Sequence, residues 1–364
     1  MSASQTGAFV YDLNRSAIVF TRNQTLSLRP ASNEKLVVAA TALDRLGPTF
    51  QIPTDVLGQG SLTADGVWHG RLILKGYGDP SLSSARLAVL AERVRAAGIS
   101  SVTGPILGDE SYFDTMRVAP GWKASYYKEE CPPLSALIVN RGRVGTRISD
   151  DPARTAARLF KVALKAAGVA VPGRSAKGVA DTSAIPVTQA FSRRLSRLVH
   201  RMNLISDNFY GEMLLKELGA KIRGRGTTLA GTRVVRAELV ERGVTMTGLH
   251  IVDGSGLSAY DKLTARAVGQ LLISAGSDAS ITTYFVGSLP IAGVSGTLSD
   301  RMTSGPAYRH VFAKTGTTNQ ASALSGYVTT RYVFAILMNG SPIPWISARQ
   351  AQDRFAQVLA RAAQ

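Results

Sequence analysis

The 364-residue sequence has little cysteine and little histidine, with one Cys and four His. A single cysteine excludes an intrachain disulfide framework and a zinc site built from several cysteines. The histidines at 69, 200, 250 and 310 have neither H-x-H nor H-x-x-x-H spacing. Because a lone histidine is more often a surface or core residue than a ligand, metal sites and Ser-His-Asp catalysis are disfavoured. We expect neither a metal nor a cofactor.

Long hydrophobic runs are also missing, since no stretch approaches the roughly 18 residues needed to span a bilayer. The sequence contains no G-x-S-x-G elbow, no G-x-x-x-x-G-K-[ST] phosphate loop and no G-x-G-x-x-G dinucleotide turn. Residues 2–7 show neither the charged region nor the apolar region of a signal peptide. The sequence alone therefore allows a cytoplasmic protein, or an exported one whose signal peptide has been removed.

The composition is that of a folded and strongly basic protein. Hydrophobic residues make up 45% and charged residues 18%, which permits a sizeable core. The net charge is 42 − 25 = +17, which favours nucleic acid, an anionic membrane surface or an acidic envelope polymer as surroundings. The densest basic stretches, 193–201 and 221–225, are not interleaved with aromatic residues that would stack on bases. We therefore interpret the charge as attraction to an anionic environment, and we do not expect nucleic acid binding.

Hydrophobic periodicity predicts an α+β protein with an insertion. The first fifty residues indicate strand, turn, strand and helix, and the helix ends at Gly47-Pro48. Short strand-like runs and one helix, over 84–97, follow. The simplest layout is a discontinuous main domain, residues 1–50 and 149–364, which carries an inserted α+β domain of residues 51–148.

Helical signals return over 151–167, 192–202 and 206–218, and the chain closes with a helix over 346–362. Before that last helix, three β-rich runs between residues 310 and 338 are joined by turns too short for crossover helices. This spacing predicts an antiparallel meander.

Ser32-Asn33-Glu34-Lys35 is the first candidate motif. Residues three apart share a helix face, so Lys35 can reach the Ser32 hydroxyl, and burial lowers a lysine pKa enough for it to act as a base. Alone the motif is weak, because Ser32 also suits an N-cap and Lys35 a solvated first turn. A second S-x-x-K, Ser125–Lys128, has no continuing helical pattern, and we interpret it as coincidence.

Two further motifs occur once each. Ser206-Asp207-Asn208 opens a helix, where Ser206 is able to relay a proton and Asn208 to donate to a carbonyl, although capping alone also explains it. Lys314-Thr315-Gly316 lies on a strand of the meander, where the cation and the hydroxyl suit a carboxylate and the glycine lets a ligand backbone pass close.

The three motifs together, in the order helix, helix start and strand, form a trio known from penicillin-binding proteins and class A β-lactamases. The chain resembles the class C low-molecular-mass penicillin-binding proteins, the D-alanyl-D-alanine carboxypeptidase/endopeptidase family (peptidase family S13). The phrases that carry the resemblance run nearly end to end: Arg29–Leu36, Gly76–Leu82, Gly108–Asp114, Ser135–Leu137, Met202-Asn203, Asp253–Ser258, Gly296–Leu298, Arg301-Met302, Ala313–Thr317 and Leu324–Tyr327.

The resemblance implies a fold, an activity and residue roles. The fold is a β-lactamase/transpeptidase-like domain, an antiparallel sheet flanked by helices, with a smaller inserted domain. Ser32 attacks a D-Ala-D-Ala stem peptide of peptidoglycan with Lys35 as base, Ser206 passes the proton on, and β-lactams acylate Ser32 as inhibitors. The remaining implied roles are substrate binding by Asn208, Lys314, Thr315, Gly316 and Thr317, and an oxyanion hole formed by the backbone N–H groups of Ser32 and Thr317.

The resemblance also implies an extracytoplasmic location with the signal peptide removed. Two departures stand out: the segment between Asn140 and Asp151 is short, so a third family domain is expected to be missing, and Thr318 replaces a usually apolar residue beside the site. A β-lactamase of the same fold and an inactive basic cell-wall-binding protein remain as alternatives, and a nucleic acid binder is a more distant one.

Overall fold

The structure is a computed structural model that describes residues 5–364, so part of the N-terminal segment on which the signal peptide prediction rests lies outside the described residues. Its strands are β1 (Thr6–Asp12), β2 (Ala17–Arg22), β3 (Pro53–Leu62), β4 (Val67–Gly76), β5 (Ser101–Val102), β6 (Ile106–Asp109), β7 (Arg143–Val144), β8 (Arg147–Ile148), β9 (Ser175–Lys177), β10 (Ile185–Phe191), β11 (Val311–Thr318), β12 (Ala321–Val328) and β13 (Tyr332–Asn339).

The helices are α1 (Glu34–Leu46), α2 (Ser84–Ala96), α3 (Tyr126–Glu129), α4 (Pro152–Ala166), α5 (Leu195–Leu204), α6 (Asn208–Arg223), α7 (Thr228–Glu241), α8 (Ala265–Ser277), α9 (Thr282–Val286) and α10 (Trp345–Ala363). Among the described residues, no helix has the length and apolar character needed to cross a bilayer.

The main sheet has five antiparallel strands in the order β11-β12-β13-β1-β2, and this meander brings the two ends of the chain together. Side chains alternate along its strands. In β13, Val333 and Leu337 join the core beneath α1 and α8, whereas Phe334 and Ile336 join the core beneath α10. Helices therefore cover both faces, and the predicted α+β class is confirmed.

The second sheet has the order β10-β3-β4-β6-β9, with β5 paired to β4. Helices α2 and α4 pack on it through a separate hydrophobic core. This core includes Phe160 and Leu164 of α4, and β10 pairs with β3 as far as Phe191, so the sheet continues past the boundary that we predicted at residue 148. Because the apolar stripe of α4 faces α2, we propose that the inserted unit spans residues 53–191.

Helix α1 lies at the centre of the main unit. Every residue from Glu34 to Leu43 is buried, and α5, α6, α7 and α8 pack around the helix. A 3₁₀ turn, Ala31–Asn33, precedes α1 and lies against β11 and β12. The start of the central helix, the start of α6 and the edge strand of the main sheet therefore meet in one place.

Candidate active site

The first S-x-x-K motif lies at the junction of the 3₁₀ turn and α1. Ala31 has a positive φ of 47°, which turns the chain sharply before Ser32. One helical turn later, the Nζ atom of Lys35 donates to the Oγ atom of Ser32 at 2.9 Å. The pair is therefore in hydrogen-bond contact without substrate, which is the geometry that proton transfer from a serine to a lysine requires.

The ammonium group of Lys35 is fully buried and has two further acceptors. It donates to Asn208 Oδ1 at 2.8 Å and to the carbonyl oxygen of Ser255 at 2.6 Å. Burial lowers the pKa of Lys35 to about 8, and the negative charge of Asp253 opposes that shift. A lysine with such a pKa is partly neutral near pH 7 and is able to accept a proton.

A loop beneath Lys35 holds the carbonyl of Ser255 in place. The buried carboxylate of Asp253 accepts from the backbone N–H groups of Gly256 and Ser258, both at 2.7 Å, and from Trp122 Nε1 at 2.8 Å. Glu212 accepts from the N–H of Gly254 at 3.0 Å. Burial and the charge of Asp253 raise the pKa of Glu212 to about 8.

The S-D-N and K-T-G motifs also meet. Ser206 has a positive φ of 58° just before α6, and its Oγ atom accepts from Lys314 Nζ at 2.7 Å. The buried Lys314 also donates to the carbonyl oxygen of Thr315 at 2.8 Å. Burial and the neighbouring charge of Lys35 hold the pKa of Lys314 well below its usual value. The S-D-N turn therefore contacts one buried lysine through Ser206 and the other through Asn208.

The edge strand β11 passes close to the nucleophile turn. A Cβ atom at Gly316 would lie 2.8 Å from the carbonyl oxygen of Pro30 and 3.1 Å from the backbone N of Ser32. The side chain of Asn33 adds a hydrogen bond from its Nδ2 to the carbonyl of Lys314 at 2.9 Å. In the structure, Gly316 thus makes room for the protein's own backbone. The expectation that it also lets a ligand backbone pass close stays a prediction.

Backbone N–H groups alternate in direction along a β-strand, and this alternation shows where those of β11 point. The N–H of Ala313 points away from β12 and donates to the carbonyl of Pro290 at 3.0 Å. Because backbone direction repeats every second residue, the N–H groups of Thr315 and Thr317 also point to this open edge. Thr315 and Thr317 of this edge line the same cleft as Ser32.

These elements enclose an open cleft of about 260 Å³. Five of the predicted residues line it: Ser32, Ser206, Asn208, Thr315 and Thr317. Lys35 and Lys314 lie behind this lining, fully buried. The cleft is also lined by Glu130, Gly256, Leu257, Thr297, Asp300, Arg301, Thr318 and Arg349.

Thr297, Arg349 and Asp253 are among the contributors to the site that were not predicted from the sequence. Thr297 accepts from the hydroxyl of Thr315 at 2.7 Å, and Arg349 of α10 donates to Thr317 Oγ1 at 3.4 Å. Asp253 holds the loop under Lys35. Thr297 and Asp253 belong to phrases that carry the family resemblance, which was an available signal, whereas nothing in the sequence pointed to Arg349.

The other chemically suggestive residues are separate from the cleft lining. In the second S-x-x-K, the backbone at Tyr127 and Lys128 is not helical, and Lys128 forms a surface ion pair with Asp150 at 2.7 Å. Burial raises the pKa of the Cys131 thiol well above its usual value. Within residues 5–364, His, Cys, Asp and Glu side chains form no group of three or more suited to a metal ion.

Comparison with known proteins gives the same family along nearly the whole chain. The model of the D-Ala-D-Ala carboxypeptidase 3 (S13) family matches residues 1–150 and 144–363. The D-alanyl-D-alanine carboxypeptidase of Actinomadura sp. (strain R39) is 30% identical over 448 aligned positions, which cover 99% of this chain and 82% of that protein. A carboxypeptidase of Mycobacterium tuberculosis is 30% identical over 93% of this chain and 76% of its own length.

Solved structures show the same fold. The crystal structure of penicillin binding protein 4 from Haemophilus influenzae aligns with a TM-score of 0.87 at 20% identity, covering 98% of this chain and 96% of that one. The same protein in complex with a β-lactam aligns with a TM-score of 0.83. The β-lactamase/transpeptidase-like architecture expected from the sequence is thereby confirmed.

Proposed function

We propose a catalytic mechanism for a chain that belongs to the D-Ala-D-Ala carboxypeptidase 3 (S13) family. The protein is a serine-type D-Ala-D-Ala peptidase of the penicillin-binding class. The observation that carries the mechanism is the 2.9 Å hydrogen bond between Ser32 Oγ and the buried Lys35, whose pKa is about 8.

Ser32 attacks the carbonyl carbon of the penultimate D-Ala, and neutral Lys35 takes the hydroxyl proton. The backbone N–H groups of Ser32 and Thr317 receive the negative charge that develops on the carbonyl oxygen. Such a donor contributes about a hundredfold or more to rate. Support for this role of Thr317 is that its N–H points to the open edge of β11 and that Gly316 keeps this edge against the nucleophile turn.

Collapse of the tetrahedral intermediate breaks the C–N bond and leaves an acyl-enzyme on Ser32. The Ser206 hydroxyl donates its proton to the departing nitrogen and takes one from Lys314, which lies 2.7 Å away. Lys314 in turn regains the proton that Lys35 took from Ser32, so both lysines end as they began. The net proton movement is from Ser32 to the leaving D-Ala. Water then hydrolyses the ester, with Lys35 again placed to accept a proton.

The substrate is held by groups on both sides of the cleft. Asn208 uses Oδ1 to accept from Lys35, so its Nδ2, which now donates to the carbonyl of Glu130 at 3.2 Å, is the group that binds the peptide. Thr315 and Thr317 bind the terminal carboxylate. Lys314 is buried, so we assign it an electrostatic role behind Thr315 and not a direct contact.

Two properties follow from this chemistry. A β-lactam acylates Ser32 in the same way, but its leaving nitrogen stays tethered by the opened ring and the adduct persists. Because peptidoglycan stem peptides lie outside the cytoplasm, we propose an extracytoplasmic location, in which the +17 charge attracts the protein to an anionic envelope.

The deciding experiment uses two defined muropeptides, a pentapeptide monomer ending in D-Ala-D-Ala and a cross-linked dimer. Mass analysis separates loss of D-Ala from the monomer, which is carboxypeptidase action, from splitting of the dimer, which is endopeptidase action. The wild-type protein is expected to do at least one of these, and Ser32→Ala neither. If the wild-type protein leaves both substrates intact while retaining its fold, the proposal is wrong.

A further inference from the structure

A second cleft, larger than the catalytic one, lies beside α5. It has a volume of about 860 Å³ and separates the loops at 80–83 and 140–141, which belong to the inserted unit, from α5 and the start of α6. Its side chains include Arg141, Arg193, Arg197, His200 and Arg201, and no Asp or Glu is among its lining residues. We call it the basic cleft. No step of the proposed reaction uses it.

The arginines of the basic cleft divide into two groups. Arg141 and Arg201 both pair with the buried carboxylate of Asp207, at 2.6 and 3.3 Å. Arg193 and Arg197 are exposed, and within residues 5–364 neither has a carboxylate within ion-pair distance. Exposed guanidinium groups without a partner on a concave wall are available to an anionic ligand.

The spacing of these arginines favours a linear ligand. Arg197 and Arg201 are one turn apart on α5, about 5–6 Å between Cβ atoms, and Arg193 precedes them at the same interval along the chain. A single small anion engages one or two guanidinium groups, whereas a chain with a negative group in each short repeat reaches all of them. Release of the counterions held by such a chain adds to its affinity.

The same surroundings disfavour the other polyanions. The side chain of Tyr210 is buried under the guanidinium group of Arg201, so the basic cleft offers no exposed tyrosine, phenylalanine or tryptophan ring for nucleic acid bases. A membrane surface is broad and flat, so its headgroups would reach the arginines of a concave cleft only if the protein were inserted into the lipid. A flexible, base-free polymer has neither restriction.

We propose that the basic cleft binds a linear polyanionic polymer of the cell envelope, with phosphate or carboxylate groups in successive repeats, and so holds the enzyme on its substrate layer. Binding uses the free guanidinium groups of Arg193 and Arg197. It requires no chemistry at Ser32, so it is measurable independently of peptidase activity.

The test measures binding of a fluorescent glycerol-phosphate oligomer by anisotropy, at low and high salt. Arg193→Gln combined with Arg197→Gln is expected to weaken binding about tenfold and to flatten its salt dependence. The control pair, Arg154→Gln with Arg158→Gln, removes two exposed arginines from α4 and is expected to change affinity less than about twofold. Both pairs leave Asp207 and its partners intact, so the rate of penicillin acylation is expected to stay unchanged.

Four competing probes decide the ligand class. Unlabelled glycerol-phosphate oligomer and polyglutamate distinguish a phosphate-bearing from a carboxylate-bearing polymer, and competition by either supports the proposal. Tighter binding of single-stranded DNA of equal charge, or binding to phosphatidylglycerol vesicles with no binding of the soluble oligomers, overturns it. Equal losses in the two arginine pairs also overturn it, because attraction would then follow net charge and not the basic cleft.

Discussion

The ammonium nitrogen of Lys314 lies 2.7 Å from the hydroxyl oxygen of Ser206, across a separation of 108 residues. On the other side of the same turn, Lys35 donates to Asn208 at 2.8 Å. The S-D-N turn is therefore positioned by two buried lysines, one from α1 and one from β11. The charge of Lys35 lowers the pKa of Lys314, so protonation of one lysine disfavours protonation of the other. A substrate carboxylate entering beside Thr315 would favour the protonated form of Lys314.

Replacing Lys314 is expected to slow acylation without moving the nucleophile. In Lys314→Ala, loss of the cation behind Thr315 should reduce the second-order rate constant for penicillin about 10–100-fold, while Ser32 still becomes labelled at high penicillin concentration. Stopped-flow acylation measures the rate, and peptide mapping identifies the labelled residue. Lys165→Ala removes an exposed lysine of α4 and is the control. An unchanged rate constant in Lys314→Ala would show that this lysine has no part in binding.

Penicillin is expected to add its mass to one residue, Ser32. The intact-mass spectrum should show one adduct on the wild-type protein and none on Ser32→Ala. Ser125→Ala, in the second S-x-x-K, should be labelled as the wild type is, because Lys128 is paired with Asp150 and the backbone there is not helical. An adduct on the Ser125 peptide, or labelling of Ser32→Ala, would contradict the assignment.

The meander and the helices with strong periodicity were predictable because their signals are local. The runs over 310–317 and 332–338 form β11 and β13, and the helices predicted over 84–97 and 346–362 end within a few residues of α2 and α10. The order of the three motifs pointed to the fold because together they resemble the trio of the penicillin-binding proteins, and not because of any one element's pattern. The close approach of Gly316 to the turn at Pro30 was not predictable, because the two are distant in sequence.

The inserted unit was harder to delimit, because its boundary depends on long-range pairing. The second sheet of the protein includes β9 and β10, from residues 175–191. These strands follow α4, a helix that we assigned to the main domain. The sequence of α4 shows where the helix begins, but it does not show which of the two sheets the helix packs on. Arg349 was unpredictable for the same reason, since its place beside Thr317 follows only from the packing of α10 on the main sheet.

The rate of acylation is expected to rise with pH through about 8. Burial lowers the pKa of Lys35 to about 8. Only its neutral form accepts the Ser32 proton, so the neutral fraction grows as pH increases through that value. The rate at pH 7 should be about tenfold below the rate expected with Lys35 fully neutral. Stopped-flow measurements from pH 6 to 9 test this, and a rate that does not rise between pH 6 and pH 8 would exclude Lys35 as the base. Lys35→Arg keeps the charge but cannot lose its proton, and it should not acylate at any of these pH values.

The thiol of Cys131 is expected to be unreactive in the folded protein. It is fully buried, and burial raises its pKa well above the usual value, so the reactive thiolate is scarce. A chromogenic disulfide reagent should therefore react only after denaturant is added. Cys131→Ser provides the blank, and rapid reaction of the native protein would show that the site opens readily.

Gly316→Ala is expected to damage the oxyanion hole without removing any proposed catalytic side chain. The new methyl group would lie 2.8 Å from the carbonyl of Pro30, so β11 and the nucleophile turn must separate by a few tenths of an ångström. Misplacing the N–H groups of Ser32 and Thr317 by this amount should slow acylation about 10–100-fold, and the overpacking should cost about 1–3 kcal/mol of stability. Gly145→Ala is the control, because its added methyl group meets nothing within 4 Å and lies in a surface hairpin. Alanine at the positive φ of Gly145 costs about 1–2 kcal/mol, so this variant separates loss of stability from loss of rate. If both variants melt earlier but acylate at the wild-type rate, the close approach at Gly316 serves packing alone and does not set the position of the oxyanion-hole donors.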